Sequence, residues 1–125
     1  MIHHTSVAVQ NYEAGKAFYQ AALAPLGYSV GMDLPDYKAA GFKDASGHQD
    51  FWLGEKPNAA GVHVAFLAPN KEAVAAFHAA GLAAGGKDNG VPGYREMYSP
   101  DYYAAFIHDA DGNNVEAVWF DPEKK

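Results

Sequence analysis

The sequence predicts an α+β protein made of two tandem βαβββ modules. Two observations carry this prediction. The chain matches itself when the segment that begins at His4 is laid on the segment that begins at His63, and both copies show the same succession of strand and helix patterns. A length of 125 residues fits one domain of this kind. We therefore divide a single domain into module 1, residues 1–57, and module 2, residues 58–125.

The internal match places His4–Gly27 on His63–Gly86 without a gap, and the identical pairs include a His, an Asn, a Phe and a Gly. Abundant alanine adds further identities, but it does not account for these four. The match resumes with Tyr37–Gly47 falling on Tyr102–Gly112. The interval between the two matched segments is longer in the second copy, which therefore carries an insertion after its helix.

Each copy opens with a short alternating strand, His4–Val9 or His63–Ala68, rich in β-branched and apolar residues. An asparagine, Asn11 or Asn70, then provides the side-chain oxygen that caps a helix. Small and aromatic residues at helical spacing predict that each helix packs closely on its sheet. Glycine ends each helix, and strand-like runs joined by a hairpin follow, at Asp44–Gly47 and Asp109–Gly112.

Alternation along the first strand of each copy separates its histidine from the residues that pack beneath the helix. His63 has the opposite parity to Val64 and Phe66, and His4 has the opposite parity to Val7. We therefore expect both histidines to point away from the helices, toward whatever the sheets enclose.

Composition excludes several classes of protein. The chain has no cysteine, which excludes disulfides, thiol nucleophiles and iron–sulfur clusters and leaves His, Asp and Glu as the strong metal ligands. A net charge of −6 argues against nucleic acid and anionic membranes as partners. No apolar run is long enough to span a membrane, and no signal peptide is evident. We expect a cytoplasmic protein that acts on a small molecule.

Glu116 is the third residue of interest, because it lies in the apolar run Asn114–Phe120. A buried carboxylate needs a cation, a donor or a raised pKa. With His4 and His63 on the same cavity it would complete a metal site with open positions. Taken singly, a histidine at the start of a strand is more often a satisfied structural residue than a ligand, and Glu116 alone could lie in water at a sheet edge. We expect the remaining histidines, His3, His48, His78 and His108, to be surface residues.

The duplicated βαβββ unit, a His opening each copy and Asp-x-Asp-Gly-Asn-x-x-Glu at residues 109–116 resemble the vicinal oxygen chelate superfamily. That superfamily includes glyoxalase I, extradiol dioxygenases, fosfomycin-resistance proteins and bleomycin-binding proteins. The resemblance implies that the two βαβββ modules form a curved mixed sheet around a cavity. It also implies that His4, His63 and Glu116 bind a divalent metal ion such as Zn²⁺, Ni²⁺, Fe²⁺ or Mn²⁺. It also implies an enzyme, a lyase, isomerase or dioxygenase, whose metal chelates two adjacent substrate oxygens and stabilises an enolate or oxyanion, with Glu116 catalytic.

The resemblance leaves the reaction type open. When the alignment of Gly47 with Gly112 is continued along the chain, Phe51 falls where Glu116 stands, and phenylalanine cannot coordinate a metal. Glyoxalase I members usually supply a fourth protein ligand from that strand. Three ligands are more similar to the two-His-one-carboxylate arrangement of extradiol dioxygenases and fosfomycin-resistance enzymes.

Arg95 is the sole arginine, and it lies where module 2 carries its extra residues. We expect it to hold an anionic group of the substrate through two parallel hydrogen bonds. The alternative is a surface salt bridge to Glu96 or Asp101. The other expected substrate contacts are aromatic: Tyr98, Phe51, Trp52 and Tyr103.

A second class of function stays open beside the enzyme. Bleomycin-binding relatives sequester an aromatic or cationic molecule without a metal, in an acidic cleft lined by tyrosine and tryptophan. Because such binders commonly lack the ligand set, its retention here favours the enzyme. We expect a homodimer, and the sequence leaves open whether the cavity closes within one chain or between two.

Overall fold

The computed structural model describes residues 1–124 and confirms the α+β prediction. Each copy of the repeat folds as one βαβββ unit with its own sheet. Module 1 contains β1 (Thr5–Val9), α1 (Tyr12–Leu23), β2 (Ser29–Leu34), β3 (Ala39–Lys43) and β4 (Phe51–Glu55). Module 2 contains β5 (His63–Leu67), α2 (Lys71–Ala83), β6 (Lys87–Tyr94), β7 (Tyr102–His108) and β8 (Asn114–Phe120).

The strands form two mixed sheets with the same topology. Sheet 1 has the order β1-β4-β3-β2, and sheet 2 has the order β5-β8-β7-β6. In each sheet the first and last strands of the module pair in parallel, and the remaining pairs are antiparallel. The first strands, β1 and β5, are therefore edge strands of separate sheets, rather than neighbours in one continuous sheet.

Both helices begin where the asparagines predict. The Asn11 side-chain oxygen accepts a hydrogen bond from the Ala14 backbone N–H at 2.9 Å, and Asn70 accepts one from Ala73 at 2.8 Å. After α1, a short 3-10 turn ends at Gly27, whose φ of 89° lies in the left-handed region that glycine adopts without strain.

One face of each sheet packs against the helices, and the other face is open. Val7, Val9 and Phe66 are buried beneath the helices, whereas His63 and Leu67 are exposed, so the predicted parity is confirmed. Cross-strand partners share a face, which defines the rest of each open surface. The open face of sheet 2 includes His63, Ala65, Leu67, Phe106 and Glu116, and that of sheet 1 includes Ser6, Gly41, Trp52 and Gly54.

Apolar residues of both modules meet in one core. α1 packs against α2, and the rings of Phe51 in β4 and Phe66 in β5 lie 5.0 Å apart between centroids. Neither helix in the described part of the chain is long and apolar enough to cross a membrane.

A buried polar network also joins the modules. The Tyr19 hydroxyl on α1 donates to Asp109 Oδ2 in the β7–β8 hairpin at 2.6 Å. Asn113 Nδ2 donates to the same oxygen at 2.7 Å and to the Ala8 carbonyl at 3.3 Å. Asp109 Oδ1 accepts two further bonds from backbone N–H groups of its own hairpin. Burial, and then Asp109, raise the pKa of the Tyr19 hydroxyl, so Tyr19 remains a donor.

His78 is not a surface residue, contrary to expectation. It is 8% exposed, and its Nε2 lies 2.9 Å from Asp88 Oδ1 of β6. The hydrogen bond to His78 is the main cause that lowers the pKa of Asp88. His78 aligns with Tyr19 in the repeat, and each has an aspartate partner within hydrogen-bond distance. The alignment of His78 with Tyr19 therefore indicates that both side chains are buried, because equivalent positions of the two helices face equivalent sheets.

We predict that Tyr19→Phe lowers the free energy of unfolding by about 1–3 kcal/mol, because buried Asp109 loses one of its donors. Urea denaturation followed by circular dichroism measures this change. Tyr37→Phe is the control, since Tyr37 is 80% exposed. Equal stability of Tyr19→Phe and the wild type would show that the network does not hold the modules together.

Candidate functional site

His63 and Glu116 form a close pair on the open face of sheet 2. His63 begins β5 and Glu116 lies at the centre of β8, and parallel pairing sets Glu116 opposite Ala65. The distance from His63 Nε2 to Glu116 Oε1 is 3.0 Å. Glu116 is only 2% exposed, whereas the His63 side chain is 50% exposed. A ligand in solvent would therefore reach the buried carboxylate past the imidazole.

The hydrogen bond made by the second ring nitrogen of His63, Nδ1, determines what can lie between His63 Nε2 and Glu116 Oε1. Nδ1 is 3.0 Å from the backbone carbonyl of Asn114, which can only accept, so Nδ1 carries a proton. In the neutral ring, Nε2 then presents a lone pair toward the Glu116 carboxylate. Two electron-rich atoms at this distance require a proton or a cation between them. Metal-binding histidines commonly donate their other N–H to a carbonyl in this way, so the pair fits two adjacent metal ligands.

Tyr102 is a site residue that the sequence analysis missed. Its hydroxyl donates a short hydrogen bond to Glu116 Oε2. Burial, and then this hydrogen bond, raise the pKa of the phenol, so Tyr102 remains a donor. The sequence shows that Tyr102 is repeated, because it aligns with Tyr37. No feature of the sequence indicates that Tyr102 contacts Glu116.

His4 does not join this pair within one chain. Its Nδ1 lies 3.0 Å from His3 Nδ1, in a cleft between the modules. Among residues 1–124, no three His, Asp or Glu side chains are arranged so that they could hold one metal ion. Within one chain, the described residues bring His63 and Glu116 together and leave His4 apart from them, because β1 and β5 belong to separate sheets.

The strand register also corrects the counterpart of Glu116 in module 1. Ser6 and Ala65 are equivalent in the repeat; Ser6 pairs with Trp52, whereas Ala65 pairs with Glu116. Trp52, and not Phe51, therefore occupies the equivalent place. The segment from Gly47 to Trp52 is one residue longer than the segment from Gly112 to Glu116. An alignment that places Gly47 on Gly112 is therefore wrong by one position throughout β4.

The expected substrate contacts fall in different places. Arg95 and Tyr98 lie beside the pair, since the Arg95 guanidinium is 5.4 Å from the Phe106 ring and Tyr98 packs on Tyr102 at 5.0 Å. Tyr103 is buried on the helix side, against Tyr94 and Trp119. Phe51 is 1% exposed in the core, and Trp52 lies on the open face of sheet 1.

Arg95 does not form the alternative surface salt bridge. Its guanidinium donates to the backbone carbonyls of Gly93 at 2.9 Å and Val91 at 2.7 Å, and no carboxylate in the described chain lies within ion-pair distance of it. These bonds hold the guanidinium against Phe106, whose ring also stacks near His63. Three of its five N–H groups remain for another acceptor.

A cleft of about 810 Å³ separates the modules on the side of His3 and His4. Its wall includes Asp50, whose two carboxylate oxygens accept from the Tyr28 hydroxyl at 2.8 and 3.0 Å. The half-buried Tyr28 ring also lines the cleft. The cleft is thus an acidic and aromatic space distinct from the His63–Glu116 pair.

The fold agrees with that of known proteins. The model of the Glyoxalase/Bleomycin resistance protein/Dioxygenase superfamily matches residues 1–117, and the chain belongs to this superfamily. A glyoxalase/bleomycin resistance protein from Albidiferax ferrireducens T118 is 30% identical, with a TM-score of 0.80 over 93% of this chain and 96% of that one. No curated protein matches the sequence significantly.

More distant structures share the fold alone. A lactoylglutathione lyase from Agrobacterium tumefaciens is 20% identical, with a TM-score of 0.70 over 95% of this chain and 92% of that one. An integron cassette protein from the mobile metagenome of the Halifax Harbour sewage outfall is 19% identical, with a TM-score of 0.73 over 96% and 98% of the two chains. These similarities show the fold of the chain, and its reaction has to be inferred from the residues of the site.

We predict that Phe51→Glu and Trp52→Glu differ sharply in stability. Phe51→Glu places a carboxylate in the core and should lower the free energy of unfolding by at least about 3 kcal/mol. Trp52→Glu places it on the open face, with a loss of no more than about 1–2 kcal/mol. Chemical denaturation of both variants compares these losses, and the reverse ranking would show that the register of β4 is wrong.

Proposed function

We propose that this protein is a divalent-metal-dependent enzyme that acts on a small oxygenated molecule, with His63 and Glu116 as metal ligands. The observation that carries this proposal is the facing of His63 Nε2 and Glu116 Oε1 at 3.0 Å while Nδ1 is held by a carbonyl. A nitrogen and an oxygen donor suit Zn²⁺, Ni²⁺, Fe²⁺ or Mn²⁺. When bound, such an ion supplies Lewis-acid stabilisation of negative charge on substrate oxygens.

Four residues around the His63–Glu116 pair have different roles in the proposed function. The Asn114 carbonyl fixes the His63 ring, and Tyr102 fixes the Glu116 carboxylate. Arg95, anchored on β6 beside Phe106, orients an anionic group of the substrate with its remaining N–H groups. Tyr98, exposed next to Tyr102, contacts the apolar part of the substrate.

Two ligands from one chain leave the metal site incomplete, and we propose that a homodimer completes it. Three large apolar residues of module 2 are exposed: Leu67 on the open face of sheet 2, and Tyr98 and Phe120, which both pack on the Tyr102 ring. An exposed apolar surface of this kind is typical of an interface. His4 of module 1 is the equivalent of His63 of module 2 in the repeat. A second copy that lays sheet 1 over sheet 2 would therefore supply the partner subunit's His4 as the third ligand.

The reaction type follows from the ligand count in this proposal. Trp52 stands where a fourth carboxylate would otherwise face the site, so three protein ligands leave more positions open for substrate oxygens. This arrangement favours a lyase or dioxygenase that holds its substrate through two adjacent oxygens.

A metal-free binding protein is the second candidate, and the cleft between the modules favours it. Asp44 and Asp50 line this cleft, and no lysine or arginine in the described chain forms an ion pair with either. Carboxylates beside the Tyr28 ring suit a cationic aromatic molecule. Saturable binding of such a molecule to a wild-type protein that takes up no metal would favour this function over the enzyme.

We predict that His63→Ala and Glu116→Gln each reduce bound metal to a small fraction of the wild-type content. The fold should persist, because both residues lie on the open face. Protein expressed without a histidine tag, loaded with metal and analysed by mass spectrometry, tests this. Glu72→Gln, on the exposed side of α2, is the matched control and should keep its metal. Stoichiometric metal in both site variants would end the proposal.

We predict that the protein is a dimer and that Leu67→Asp shifts it to the monomer, because a carboxylate would be buried in the interface. Light scattering after size-exclusion chromatography measures the mass. Leu82→Asp is the control, since Leu82 is a partly exposed leucine on α2, away from the open faces. A wild-type monomer that still binds one metal ion per chain would contradict the shared site.

A further inference from the structure

Besides the cleft between the modules, the structure contains a cavity of about 620 Å³ on the helix side of sheet 2. Its walls come from the first residue of α2, the last residue of β6 and the end of β8 with the turn that follows. They include Lys71, Tyr94, Trp119 and Lys124. Trp119 lies three positions after Glu116 in β8, so the two side chains are on opposite faces of the sheet. The cavity is therefore separate from the proposed metal site.

Lys71 and Lys124 place two ammonium groups against the aromatic wall of this cavity. Lys124 Nζ lies 3.8 Å from the centroid of the Tyr94 ring, and Lys71 Nζ lies 5.3 Å from the same centroid and 5.0 Å from that of Tyr103. Among residues 1–124, no carboxylate lies within ion-pair distance of either group. The Asp121 carboxylate in the wall is bound instead by the Tyr94 hydroxyl at 2.7 Å and by a backbone N–H of its own turn at 2.9 Å. Both ammonium groups therefore keep N–H donors for a ligand.

A carboxylate occupies the equivalent corner of module 1, between the start of α1 and the end of β4. Glu55 is the last residue of β4, and its Oε2 accepts from the backbone N–H of Tyr12, the first residue of α1, at 2.9 Å. Its Oε1 accepts from Lys38 Nζ at 3.1 Å. An N–H group of the first helical turn has no partner within the helix, so this carboxylate satisfies it and also pairs with a lysine.

Module 2 lacks this carboxylate. The strand register makes Trp119 the counterpart of Glu55, and the repeat match makes Lys71 the counterpart of Tyr12. An indole has no oxygen that could replace the carboxylate as an acceptor. Where module 1 has a carboxylate bound to a lysine, module 2 thus has an aromatic cavity and two lysines without an acidic partner in the described chain.

We propose that the cavity beside Trp119 binds a small aromatic carboxylate. The carboxylate group of this ligand takes the place that Glu55 holds in module 1, within reach of the flexible Lys71 and Lys124 side chains. Both lysines are exposed, so a molecule from solvent reaches them. They supply charge-assisted hydrogen bonds, and the rings of Trp119 and Tyr94 contact the ring of the ligand. A volume of about 620 Å³ is typical of small-molecule pockets. The site needs no metal and does not rest on the proposed function.

The experiment titrates the full-length protein with sodium benzoate and follows its two indole N–H resonances in ¹H–¹⁵N correlation spectra. Trp52→Phe removes one resonance and so assigns the other to Trp119, since the chain has two tryptophans. Benzamide has the ring without the charge, and inorganic phosphate has the charge without the ring. Lys71→Met and Lys124→Met each remove one ammonium group, and Lys43→Met, at an exposed lysine of β3, is the matched control.

We expect benzoate to shift the Trp119 resonance saturably and to leave the Trp52 resonance in place. Lys71→Met and Lys124→Met should each weaken binding at least about tenfold, because each loses a charge-assisted hydrogen bond. Lys43→Met should bind as the wild type does. Benzamide and phosphate should each bind at least about tenfold more weakly than benzoate, because each lacks one half of the recognition.

A Trp119 resonance that benzoate leaves unchanged in the wild type would overturn the proposal. Equal affinities of Lys71→Met, Lys124→Met and Lys43→Met would overturn the role of the two ammonium groups, and so would benzamide that binds as tightly as benzoate. Phosphate that binds as tightly as benzoate at equal ionic strength would overturn the aromatic class of the ligand. The comparison of ligands uses the wild-type protein alone, so it does not depend on the folding of any variant.

Discussion

The arrangement of the two modules depends on the burial of one carboxylate, that of Asp109. A buried carboxylate is tolerated only when hydrogen bonds replace its water, and both Asp109 oxygens are satisfied, by Tyr19 from module 1 and by Asn113 and backbone N–H groups from its own hairpin. These bonds tie α1 to the hairpin that leads into β8. Because β8 carries Glu116, the joint between the modules also sets the position of the strand on which the site is built.

The repeat has kept its scaffold while its open faces have diverged. Equivalent positions on the two helices carry Tyr19 and His78, and both residues are buried and hydrogen-bonded to an aspartate. Equivalent positions on the open faces carry Trp52 and Glu116, which have nothing in common chemically. The helix side of each sheet must satisfy close packing, so its pattern survives duplication. The open side is free of that constraint, and one copy has acquired a polar site while the other has acquired a flat aromatic surface over Gly41.

Glu116 connects the architecture with the proposed chemistry. Its burial in an apolar strand would be strongly unfavourable if it were charged and alone. His63 and Tyr102 each approach one of its oxygens, so the carboxylate is held between an exposed and a buried neighbour. One oxygen of the buried carboxylate thus faces the exposed imidazole, and the other is bound by a phenol of the neighbouring strand.

The sequence by itself determined the duplication, the order of strands and helices, the helix caps and the faces of the first strands, because these follow from periodicities that act over a few residues. It also singled out His63 and Glu116, since a histidine repeated at a strand start and a carboxylate in an apolar run are local signals. Only the tertiary structure decided the counterpart of Glu116, because one extra hairpin residue moves every following side chain of a strand to the other face. The bond from Tyr102 to Glu116 and the separation of His4 from His63 likewise depend on which strands become neighbours. That choice is made by the packing of whole modules, and no local pattern encodes it.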